Sequence, residues 1–74
     1  MKEQFFKHID PAEMKEDLEC IMGEVEVHHN LGIPINGAEV VGVYTYILAS
    51  TYDRNLAYRE TIDYIQEMKK VLYN

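Results

Sequence analysis

Asn36-Gly37-Ala38-Glu39-Val40-Val41-Gly42-Val43-Tyr44-Thr45-Tyr46-Ile47-Leu48-Ala49-Ser50-Thr51-Tyr52 holds one formal charge, Glu39, and none from Val40 onward. Its conformation decides the fold. Val, Tyr, Thr and Ile favour strands, and Ile35-Asn36-Gly37 could open a hairpin. Against that, thirteen residues from Val40 to Tyr52 are long for a strand, and Asn36 to Glu39 offers a helix-capping arrangement. A helix is therefore expected, with a strand as its competitor. Wound as a helix, Val40, Val43, Tyr44, Ile47, Leu48 and Thr51 share one face. Ala38, Gly42, Thr45 and Ala49 share the opposite one, and all are small. A helix uncharged all round is usually buried all round, and small residues would let a second helix approach closely.

Working outward, Asp10-Pro11-Ala12-Glu13 is a strong helix start. Asp10 suits the N-cap, Pro11 the first turn, and Glu13 the carboxylate that reaches back in a capping box. Met14, Leu18, Ile21, Met22, Val25 and His29 then recur at three- and four-residue steps, an amphipathic stripe. Asn30 closes this helix, Leu31-Gly32 forms a glycine-terminated cap, and Ile33-Pro34-Ile35 cannot continue it. On the other side, Asp53 or Asn55 caps a third helix running to about Tyr73. Tyr58, Thr61, Ile62, Ile65, Met68 and Leu72 mark its buried stripe, and Arg59 and Asp63 are spaced for an i,i+4 ion pair. Before all of this, Phe5, Phe6 and Ile9 give Met1 to Ile9 the spacing of one or two helical turns. The fold expected is all-α: one domain over residues 1–74, a three-helix bundle with a short N-terminal helical turn.

A chain of 74 residues builds a small core. Below about 70–80 residues a core rarely supplies more than ~3–5 kcal/mol, and self-association is a usual remedy. Residues 27–52 carry Glu39 as their only formal charge, so a homodimer is expected, with Ala38, Gly42, Thr45, Tyr46 and Ala49 in its interface.

The net charge of −6 is concentrated. Residues 11–29 hold six acids, Glu13, Glu16, Asp17, Glu19, Glu24 and Glu26, against one base, Lys15. Such a balance disfavours direct nucleic-acid binding and docking on an anionic membrane. A helix-turn-helix reading fails for the same reason, because Asp53, Glu60, Asp63 and Glu67 oppose Arg54, Arg59, Lys69 and Lys70 on the would-be recognition helix. Instead, Glu13, Glu16, Asp17 and Glu24 share a face of the first helix with Cys20 and Val27. That strip is expected to meet a protein with a basic surface. Six tyrosines and no Trp add side chains suited to interfaces.

Signs of chemistry are thin. Cys20, Glu24 and His28 form a ladder at i, i+4 and i+8 that offers three ligand types, yet no second ligand pair accompanies them. His29 falls in the apolar stripe. Acidic neighbours would raise the Cys20 thiol pKa rather than activate it. Gly32 to Gly37 lacks the glycine density and the Lys of a phosphate loop. No catalytic residue, metal or cofactor is expected. A lone Cys and an opening Met1-Lys2-Glu3-Gln4 that does not read as a signal peptide suit the cytoplasm. The functional expectation is a small acidic non-enzymatic regulator or inhibitor that binds another protein, nucleic-acid-binding proteins being one candidate class. The alternative is an assembly subunit that uses the charge-poor central helix as its interface.

Overall fold

The structure, a computed structural model, describes residues 9–73. Three helices follow one another: α1 (Pro11–Asn30), α2 (Gly37–Thr51) and α3 (Arg54–Tyr73). Among the described residues there is no strand, so the hairpin alternative for the central stretch falls away. The aromatic turn expected over Met1 to Ile9 lies outside the described residues, apart from Ile9, which is buried in the core.

Each helix begins on a short polar side chain. Asp10 Oδ1 accepts from the Ala12 amide at 2.9 Å, with Pro11 at the first helical position. Asn36 Oδ1 accepts from the amides of Ala38 and Glu39 at 2.9 and 3.2 Å, and Asp53 Oδ1 from that of Leu56 at 3.0 Å. Amides with no partner inside a helix are thereby satisfied. The end of α1 is equally local. Gly32 takes φ +84°, its N–H donates to the His29 carbonyl at 3.0 Å, and the Ile33 N–H donates to that of His28 at 2.8 Å. This is a Schellman cap, whose left-handed residue favours glycine. Beyond it, Ile33 and Ile35 turn inward and Pro34 between them faces solvent, so even the connection contributes to the core.

The core gathers Ile9, Ile21, Val25, Ile33, Ile35, Val40, Tyr44, Leu48, Ala57 and Ile65. The α2–α3 interface is the most extensive of the three helix pairings. Gly37 opens α2 beside α1: a Cβ there would stand 3.0 Å from Met22 Cε.

Two expectations need correction. The buried arc of α1 is rotated from the apolar stripe. Asp17, Ile21, Val25 and His28 are buried, whereas Met22 is 42% exposed and His29 is exposed. The cause is tertiary: α3 lies on the Asp17 side of α1 and supplies polar partners there. In addition, α2 is not buried all round. Val40, Tyr44 and Leu48 are enclosed, but the small-residue face lies open in the single chain.

Candidate functional site

The acidic strip of α1 does not form one outward surface. Asp17 is only 8% exposed and sits at the junction of all three helices. Its Oδ2 accepts from the Tyr44 hydroxyl of α2 at 2.7 Å and from Arg54 Nε of α3 at 2.7 Å. Arg54 also reaches Glu13 Oε2 with a second nitrogen, at 3.2 Å. Glu13 therefore meets α3 instead of closing the capping box expected of it. Burial, then the bond to Asp17, holds the Tyr44 phenol above its ordinary range. The hydrogen bond to Asp17 holds the Arg54 guanidinium more firmly protonated. Placing Asp17 on a partner-binding face is thus corrected: its carboxylate is occupied in joining the helices.

The rest of the strip divides. Glu16, Cys20 and Val27 are exposed, while Glu24 is half-buried. The Tyr58 phenol of α3 is pushed up mainly by burial and further by the nearby Cys20 and Glu24. The Cys20, Glu24 and His28 ladder is not assembled as a ligand set. His28 turns inward and its Nδ1 donates to the Glu24 backbone carbonyl at 2.7 Å. Among the described residues no three His, Cys, Asp or Glu side chains are grouped to hold a metal ion. His29 Nε2 donates to the Ile35 carbonyl at 2.6 Å, so this exposed ring pins the connection that follows α1. Arg59 and Asp63 do not pair; the ion pair within α3 is Lys70 with Glu67 at 3.3 Å.

Two further surfaces among the described residues are open to other molecules. On α2, Ala38, Gly42, Thr45, Tyr46 and Ala49 are all exposed, Tyr46 to 73%. A Cβ added at Gly42 meets nothing within 4 Å. The Thr45 hydroxyl donates to the Val41 carbonyl of its own helix at 2.8 Å. Its hydrogen-bonding need is met internally, so little polarity shows between Ala38 and Ala49, with the exposed Glu39, seven residues before Tyr46, at the edge of the face. On α1, a groove of about 410 Å³ is lined by Pro11, Met14, Lys15, Leu18, Glu19 and Met22. Sequence reasoning placed Met14, Leu18 and Met22 on one apolar stripe; Met14 and Leu18 do pack against the core, Met22 does not, and the groove that all three line was missed. The available signal was the charged pair Lys15 and Glu19 at the edge of that stripe.

No family model, curated protein or solved structure matches this chain. Its surfaces therefore carry the functional reading. No helix among the described residues is long and apolar enough to cross a membrane.

Proposed function

We propose that this chain works by binding protein, as a small acidic regulator or inhibitor that self-associates through α2. One observation carries the reading. The central helix completes its core contacts with Val40, Tyr44 and Leu48 and still leaves Ala38, Gly42, Thr45, Tyr46 and Ala49 exposed and uncharged. Exposed apolar faces of this kind mark interaction sites more often than ordinary surface, and Tyr46 supplies a large contact with a polar end. A two-fold pairing would set the Gly42 positions of two copies against each other, where the absence of side chains permits close packing. The acidic surface of α1 would then point away from the dimer and receive a basic partner.

The same α2 face supports a second reading, a subunit whose apolar helix is covered by a different protein in a larger assembly. Light scattering over a wide concentration range, with and without reductant, separates the two. A mass of two chains that does not depend on reductant supports self-association. A monomer at every concentration overturns it and leaves the second reading.

A further inference from the structure

We infer that the α1 groove is a docking site for a basic amphipathic helix of a partner protein. This deepens the protein-binding reading and rests on it. Met14, Leu18 and Met22 follow at four-residue steps, so the groove has a continuous apolar floor from Pro11 to Met22, about 16 Å along the axis. That length matches three turns of a helix laid against it. Methionine suits such a floor, because its unbranched, polarizable side chain adjusts to the shape of an incoming apolar ridge. Met22 is 42% exposed, so apolar surface is available without opening the core.

Charge selects the sign of the partner. Glu19 lines the groove, and the exposed Glu26 lies seven residues on, two turns further along the same side of α1. Lys15 is the one base on the groove, at its Pro11 end. A helix with Lys or Arg beside its apolar stripe would meet these carboxylates. The net charge of −6 would hasten its approach and repel an acidic competitor.

The test uses the full chain with its methionine methyl groups isotopically labelled. The probe is an amphipathic peptide of about 18 residues built from Leu and Lys at helical spacing, with its Leu/Glu counterpart as control. The Lys peptide is expected to shift the methyl signals of Met14 and Met22 and to leave that of Met68 on α3 in place. Affinity is expected to fall about tenfold in Met22→Lys and on raising salt from about 50 to about 500 mM. Circular dichroism verifies that the variant is folded. If Met22→Lys does not fold, Glu19→Lys at the exposed rim replaces it, with the same expected loss. The inference is overturned if neither methyl moves, or if the Leu/Glu peptide binds as well. It is also overturned if contacts from Phe5 or Phe6 to these methyls are observed at saturating peptide, because the chain's own N-terminal residues then hold the groove. Methyl shifts that depend on protein concentration alone would give the groove to a second copy. The peptide failures leave the self-association measurement untouched, and a dimer formed through the groove is told from one formed through α2 because Gly42→Leu would then keep its two-chain mass, so the two readings fail separately.

Discussion

Asp17 and Arg54 stand 37 positions apart in the chain and meet at 2.7 Å. The contact joins the first helix to the first residue of the last, and the Tyr44 hydroxyl brings the central helix to the same carboxylate. Removing that carboxylate leaves a fully buried phenol without its acceptor and a half-buried guanidinium short of one partner. Asp17→Ala is therefore expected to cost about 2–4 kcal/mol in urea unfolding, and Tyr44→Phe about 1 kcal/mol. Replacing both ends, as Asp17→Leu with Arg54→Met, should cost less than the two single changes summed, because no buried charge is then left unpaired and only the exposed Glu13 loses a partner. An Asp17→Ala protein that unfolds at the parent's midpoint would remove the network from the account of stability.

The same phenol sets an alkaline limit. In the unfolded chain Tyr44 gives up its proton near its ordinary value of 10.0, whereas burial and the bond to Asp17 make the folded chain hold it to higher pH. Above that value unfolding releases a proton, so stability falls as pH rises; below it the contribution is fully present. Tyr58, also raised by burial, adds in the same direction. Urea midpoints measured from about pH 8 to about pH 11 should decline above about pH 10, and Tyr44→Phe should flatten the decline. An identical slope in that variant would contradict the assignment.

Gly32 holds φ +84° at the end of α1. A side chain there crowds the following carbonyl, so Gly32→Ala is expected to cost about 1–2 kcal/mol. No clash with more distant residues adds to this local strain, since nothing beyond the glycine and its chain neighbours lies within 4 Å of the added Cβ. A loss well below this, by thermal or urea unfolding, would show that the cap adopts another geometry without penalty.

Helix placement was legible because its signals are local. Asp10-Pro11, Asn36 and Asp53 act on amides two or three residues away, and Gly32 on carbonyls just behind it. The rotation of α1 was not legible, because it depends on Tyr44 and Arg54, which are distant in sequence. A carboxylate on a helix reads as solvent-facing by default, and Asp17 was misread for that reason. A clue was present: a tyrosine in a charge-free buried stripe needs a partner for its hydroxyl. His28 and His29 exchanged places for the same cause, since a rotation of less than one residue step decides which neighbouring ring faces inward. The small-residue face of α2 lies where the spacing put it, and it is exposed because a single chain offers only enough helices to cover one side.

Gly42 separates folding from association more cleanly than any other position. In the single chain a side chain there meets open space, and replacing glycine inside an exposed helix favours the helix by roughly 0.8 kcal/mol. Between two copies packed through α2, the same side chain would force the helices apart. The decisive measurement is the solution mass and melting temperature of the parent and of Gly42→Leu at matched concentrations. Self-association through α2 predicts a two-chain parent and a single-chain Gly42→Leu that remains folded. A parent that is already a single chain, or a Gly42→Leu protein with the parent's two-chain mass, would contradict it.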